Sequence, residues 1–236
     1  MADQLLQVVR SQPGSKSSDV LESLDTVANI HQSYGRLDEA IPLFEEEVAR
    51  AKDLFGPTSP RALNAMQSLG QAYQEAGRWT DAQKLLEETL RLYRAGDISE
   101  NPDAAGTMAK LGLTLICQGQ FAQAEPPLRD ALAIFAKLPP DWPAAYTQSL
   151  LGAALAGETK YAEAEPLLLQ GYRCMKVREN QIPGNRAKLL ADAAQRLVAL
   201  YTAWGKPAAA PWSATLDELR KSSPAPAIAP ATAPSN

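Results

Sequence analysis

Histidine is nearly missing from this chain of 236 residues: His31 stands alone. Neither a metal centre built on paired imidazoles nor a Ser-His-Asp arrangement has much to draw on. Cysteine is as scarce, with only Cys117 and Cys174, no CxxC spacing and no His–Cys cluster. That usage offers no disulfide framework and suits a reducing compartment. No apolar run approaches the ~20 residues a membrane-spanning helix requires. The amino end, MADQLLQVVRSQPGSK, carries Asp3 where a signal peptide needs a basic residue, and its apolar run is too short. A cytoplasmic location is the resulting expectation. Basic clusters are absent too. The 23 Lys and Arg are scattered against 27 Asp and Glu, for a net charge of −4. Without an electrostatic footprint, no nucleic-acid partner is expected, and no membrane partner either.

What is present is enough apolar material for a core, and a pattern. Hydrophobic residues make up 45% and charged residues 21%, a globular balance. The stretches YGRLDEAIPLF (34–44), AGRWTDAQKLL (76–86) and QGQFAQAEPPL (118–128) repeat one design. Gly35, Gly77 and Gly119 lie 42 residues apart, Thr159 takes the place in a fourth copy, and Gly205 restores it in a fifth. Five positions later come Ala40, Ala82, Ala124, Ala164 and Ala210. Seven before the marker is a small-residue site, Ala28, Gly70, Gly112 and Gly152, filled by Val198 in the last copy. Each is preceded by an apolar residue: Val27, Leu69, Leu111, Leu151 and Leu197.

Each position has a physical reason. Apolar residues at intervals of three and four, such as Ala62, Met66, Leu69 and Tyr73, mark an amphipathic helix. The marker glycine ends that helix in a left-handed turn. The small site and the alanine let two helices approach closely, and Phe44, Leu86, Leu128 and Leu168 fill the gap between pairs. Such a hairpin cannot bury its apolar stripe alone, so neighbours must stack. The spacing predicts first helices near 19–33, 61–76, 104–118, 144–157 and 186–204, and second helices near 37–54, 79–94, 121–137, 160–179 and 208–221. The fold expected is all-α: a right-handed superhelical solenoid of about five antiparallel helix hairpins over 19–221, with repeats at 19–60, 61–102, 103–143, 144–185 and 186–221. Residues 1–18 are expected to be an amino-terminal cap or the remnant of a preceding repeat helix. The Pro/Ala-rich run 222–236 is expected to be a disordered tail.

These residues resemble the tetratricopeptide repeat family. The signature L-G-x-x-Y followed by G-R-[aromatic]-x-x-A reads here as Leu69, Gly70, Tyr73, Gly77, Arg78, Trp79 and Ala82. AIPLF (40–44), AEPPL (124–128) and AEPLL (164–168) look like the longer, kinesin-light-chain-like subtype. Near the carboxyl end, LLLQGYRCMKVREN (167–180), QRLVALYTAWGKPAAA (195–210) and WSATLDELRK (212–221) resemble the closing repeats of large bacterial serine/threonine protein kinases. No kinase motif of the catalytic domain itself is here. The first resemblance implies a non-catalytic scaffold that binds a protein or peptide in a concave groove. The second implies, as an alternative, the regulatory or sensor arm of such a kinase.

The resemblance also implies which residues face the groove. In the first helices these are Glu22, Asp25, Asn29 and Gln32, then Asn64, Gln67, Gln71 and Gln74, then Gly106, Ala109, Leu113 and Ile116, then Tyr146, Ser149, Ala153 and Ala156. Lys110, Gln195 and Arg196 stand beside them. The polar amides suit the backbone of an extended peptide and the apolar half suits its side chains; simple solvation is the competing reading. Asp25, Asn29 and Ser68 do not compose the Lys/Asn/Arg clamp that grips acidic carboxyl-terminal tails, so that function is disfavoured.

No catalytic, metal-binding or cofactor-binding residue is expected. His31 aligns with Tyr73, Leu115, Leu155 and Tyr201, which makes it a packing residue. Helix packing is also the expected role of Cys117 and Cys174. Glu45, Glu46 and Glu47, with Glu87 and Glu88, are expected on a solvated outer face. Trp79, Phe121 and Tyr161 share one repeat position expected in the core, while Trp204 and Trp212 are expected to cover the stripe of the last hairpin.

Overall fold

The structure, a computed structural model, describes residues 17–182 and 186–222. The expected cap at 1–18 therefore lies almost wholly outside the described residues, and the tail at 222–236 does so beyond Ser222. The described residues form ten α-helices in sequence: α1 Ser17–Ser33, α2 Leu37–Phe55, α3 Pro60–Glu75, α4 Trp79–Ala95 and α5 Pro102–Cys117, then α6 Phe121–Phe135, α7 Trp142–Gly157, α8 Tyr161–Val177, α9 Arg186–Trp204 and α10 Ala209–Ser222. A 3-10 turn at Glu179–Gln181 precedes α9. The described residues hold no strand. The chain is an all-α solenoid, as the periodicity predicts.

Local chemistry sets the helix ends. Ser59, Asn101 and Asp141 cap the first helices, with Pro60, Pro102 and Pro143 in the opening turn. The Asn101 Oδ1 accepts the Ala104 N–H at 2.7 Å, satisfying a donor with no partner inside the helix. Every first helix with a marker closes in the same way. Arg78 N–H reaches back to Tyr73 O (2.8 Å) and Gly77 N–H to Gln74 O (3.0 Å), and the pair recurs at Arg36, Gln120, Lys160 and Lys206.

That turn requires a left-handed residue. Gly35, Gly77, Gly119 and Gly205 have φ between 71° and 74°. Thr159 holds the same place at φ 63°, where a β-branched side chain is strained. Without a glycine, the turn of the fourth copy is held by the same two bonds, Thr159 N–H to Ala156 O (3.0 Å) and Lys160 N–H to Leu155 O (2.9 Å). Thr159→Gly is expected to stabilise the chain by about 0.5–1 kcal/mol, the relief of strain exceeding the entropy that glycine adds to the unfolded state. A thermal melt checks this; an unchanged or lowered midpoint would show that the strain at Thr159 does not exceed that entropy.

The seam between paired helices is built from the repeating small and large residues. Ala40, Ala82, Ala124 and Ala164 are fully buried, as are Phe44, Leu86, Leu128 and Leu168. A methyl group on Gly70, Gly112 or Gly152 would meet Leu86, Leu128 or Leu168 at 3.0, 2.5 and 2.7 Å. The small site exists to admit that leucine.

The fifth copy departs from the pattern. Ala210 is exposed, contrary to its predicted register. Pro207 and Ala208 extend the turn, so α10 starts at Ala209 and the alanine passes out of the seam. Leu216 is buried there instead. Trp204 and Trp212 also differ from expectation, because both face the preceding copy. Trp204 stacks on Tyr161 (5.7 Å, 29°) and Trp212 meets Tyr172 edge-on (4.8 Å, 82°). The aromatics Trp79, Phe121 and Tyr161 are half-buried. Phe121 packs on Gly157 of the following first helix, so at least this one seals a seam between copies.

Consecutive helices pack throughout. The first helices α3, α5, α7 and α9 also lie directly against one another, while the second helices do not approach each other as closely. The array therefore curls with its first helices inside. Between α1 and α3 the approach is looser, and a cavity opens there.

Candidate binding groove

The inner surface changes character along the array. At copies one and two it carries amides and carboxylates. Asn29 and Gln71 are exposed. Asn29 Nδ2 donates to the Asp25 main-chain O and to its Oδ1, both at 2.7 Å. Gln32 Nε2 and Gln71 Nε2 both donate to the Glu75 carboxylate, at 2.9 and 3.1 Å, which ties α1 to α3. Asn64 is exposed and lines the cavity between those helices.

Other predicted groove residues are engaged in holding the helices together. Gln67 Nε2 donates to the Tyr93 hydroxyl at 2.9 Å. Gln74 is buried, and its Nε2 donates to Lys110 O at 2.7 Å and Thr114 Oγ1 at 2.8 Å. Its amide is a strut between α3 and α5. Lys110 is half-buried beside it, and its ammonium lies 3.5 Å from Gln67 O. Burial, opposed by Glu75 and Asp103, brings the Lys110 ammonium down to about 8.

At copies three to five the surface turns apolar around one guanidinium. Leu113, Ile116 and Tyr146 are half-buried against the core. Arg196 stands 5.1 Å over the Tyr146 ring and donates to Ser149 Oγ at 3.3 Å. Ser149 is fully buried, so its hydroxyl supports Arg196 from below. Burial pushes the Tyr146 phenol up, with Arg196 opposing. Gln195 is exposed and accepts from Arg220 at 3.0 Å.

The remaining side chains singled out by sequence sort clearly. His31 is 3% exposed with Nδ1 3.0 Å from the Glu39 carboxylate, a packed position as expected. Cys174 packs against the core, but Cys117 is exposed at the end of α5. Partial desolvation still pushes the Cys117 thiol up, more than Arg196 draws it down, which does not favour a thiolate. Among the described residues no group of three His, Cys, Asp or Glu is placed to hold a metal ion. No helix of the described residues is long and apolar enough to cross a membrane.

The glutamate run needs correction. Glu45 accepts the Tyr73 hydroxyl at 2.6 Å, and Glu46 pairs with Arg50 at 2.9 Å. Glu88 pairs with Lys52 of α2 at 2.8 Å, joining copies one and two. Glu47 is buried, 6% exposed, and turns into the cavity between α1, α2 and α3. Helical periodicity is the reason. Glu47 lies three residues after Phe44 and four before Ala51, on the buried face of α2. The spacing of the flanking apolar residues carries that placement, but three consecutive glutamates read as a solvated patch.

Two family models match the chain. Tetratricopeptide repeat models cover residues 19–95 and 104–138. No curated protein matches the chain. Among solved structures, the chain is similar to BtubC (BKLC) from P. vanneervenii, at 19% identity and a TM-score of 0.70, over 100% of this chain and 96% of that one. It is similar to a putative kinesin light chain with nearly identical TPR-like repeats from Podosopora anserina. That match has 23% identity and a TM-score of 0.63, over 85% of this chain and 94% of that one. It is also similar to YrrB, a TPR protein with an unusual peptide-binding site, at 18% identity and a TM-score of 0.51, over 94% and 95% of the two chains. The small-to-large seam, the left-handed turns and these matches agree: the chain carries tetratricopeptide repeats, stacked in a solenoid like those of kinesin-light-chain-like structures.

Proposed function

We propose that this chain is a non-catalytic scaffold that holds a protein or peptide segment along the groove lined by its first helices. One observation carries the reading: the first helices expose amides at Asn29, Asn64 and Gln71 in copies one and two, and set half-buried Leu113, Ile116 and Tyr146 beside Arg196 further along the array. Amides can pair with the main chain of an extended segment, and the apolar end can take its side chains. Gln32, Gln67, Gln74, Lys110, Ser149 and Gln195 contribute by fixing that surface. The peptide-binding site of the similar YrrB supports the class of ligand. A kinase-arm role rests on the carboxyl-terminal resemblance alone. The coding sequence upstream of Met1 tests it, and an in-frame stop closely preceding Met1 with no kinase nearby would remove it.

The groove is tested by panning a displayed random-peptide library on the chain and mapping the recovered peptides by amide chemical shifts. Shifts are expected on α1, α3, α5 and α7. The double variant Asn29→Ala/Gln71→Ala should bind about tenfold more weakly, since each lost hydrogen bond is worth about 0.5–1.5 kcal/mol net. Shifts confined to α2, α4 and α6, with unchanged affinity, would take the groove out of the function.

A further inference from the structure

The cavity between α1, α2 and α3 has a volume of about 410 Å³, within the range of about 300–1,000 Å³ typical of ligand sites. Its walls carry three carboxylates, Glu22, Asp25 and Glu47, against a single cation, Arg61. Arg61 is exposed and lies 3.8 Å from Glu22 at the outer rim. Glu47 lies at depth, and its Oε2 is buried with no hydrogen-bond partner. That position disfavours the charged form. Burial foremost and Asp25 next push Glu47 up to about 7, and Arg61 only partly offsets them. A buried carboxylate oxygen without a donor is rare in a folded chain and is destabilising.

We propose that this cavity receives the basic side chain, arginine foremost, of a peptide lying along the first helices, with Glu47 accepting at its floor and Glu22 and Asp25 at its rim. The proposal rests on the groove reading above and adds the chemistry of the partner. The carboxylates do not converge as metal ligands do. A guanidinium has five N–H donors spread across a plane and can reach separated acceptors. Asn64 and Ser68 on the same wall supply polar atoms beside the entering chain. The net charge of −4 on the whole chain favours approach of a cationic partner.

The full chain, isotopically labelled, tests this in titrations with the blocked pentapeptide Gly-Gly-Arg-Gly-Gly and its citrulline counterpart, above the pH at which Glu47 ionises. Citrulline keeps the shape and removes the charge. The arginine peptide is expected to move the amide signals of Asp25, Glu47 and Asn64 and to bind about tenfold more tightly than the citrulline peptide. Glu47→Gln should abolish that preference. Asp25→Asn, at the rim, should reduce it severalfold, and Arg61→Ala should increase it by removing a competing cation. Equal affinity for both peptides, undiminished preference in Glu47→Gln, or signals that move elsewhere would each overturn the proposal. The outcome separates from that of the groove. Library peptides that map along the first helices with no enrichment of Arg or Lys would sink the cavity and keep the groove. Arginine-specific shifts at Glu47 with library peptides on the second helices would do the reverse.

Discussion

Ala82→Asp is expected to lower the melting midpoint of the chain by about 10 °C or more, the equivalent of about 3–5 kcal/mol in a chain of this size. Ala82 is 0% exposed, in a cluster with Ala40, Phe44, Met66, Leu69 and Tyr73. It lies four residues before Leu86, which packs onto Gly70 of the paired helix. A carboxylate at residue 82 would lie in this apolar seam with no cation provided for it, and the penalty for an unpaired buried charge applies in full. The loss should not stay local. Each copy is stabilised by its neighbours, so hydrogen-exchange protection should fall in α1 to α6 and be kept longest in α7 to α9. An unaltered melt would show that the alanine register does not form the interhelical contact.

The second large effect is a gain. Glu47→Gln is expected to stabilise the chain above neutral pH by about 2 kcal/mol, after discounting the full shift for solvent entering the open cavity. The sign follows from the direction of the shift. Glu47 stands at about 7 in the fold against its ordinary 4.5, so folding prefers the protonated acid. Below 4.5 both folded and unfolded chains hold the proton, and the variant should match the parent. Between 4.5 and 7 the parent loses stability progressively, and above 7 the full penalty stands. Denaturant unfolding across this window measures the difference, and a gap between parent and variant that does not vary with pH would refute it. Joined with the expected loss of arginine binding, a stabilising substitution that weakens recognition would mark Glu47 as a group kept for its ligand at a cost to the fold.

Ten helices with ends near those observed, the left-handed turns and the small-to-large seam are all readable in the sequence, because each depends on residues within one turn or at a repeated spacing. Ala210 falls outside its expected register because a count from Gly205 makes no allowance for the longer turn at Pro207 and Ala208. Gln74 and Ser149 occupy groove positions within their helices. Their burial depends on how closely α3 approaches α5 and α7 approaches α9, which no single helix contains.

The sequence by itself determined the unit and its repetition. An amphipathic period, a residue at positive φ and a small residue opposite a large apolar one are local requirements; glycine takes the turn in four of the five copies, and the small site is kept in the first four. Only the tertiary structure decided which polar groups remain available. Gln74 disappears between two helices, Arg196 is held over Tyr146, and Glu47 faces a cavity because α1 and α3 do not close on each other. The reason is that solvent exposure in a solenoid is set by the distance between neighbouring copies, and a difference of one side-chain width turns a solvated carboxylate into a desolvated one.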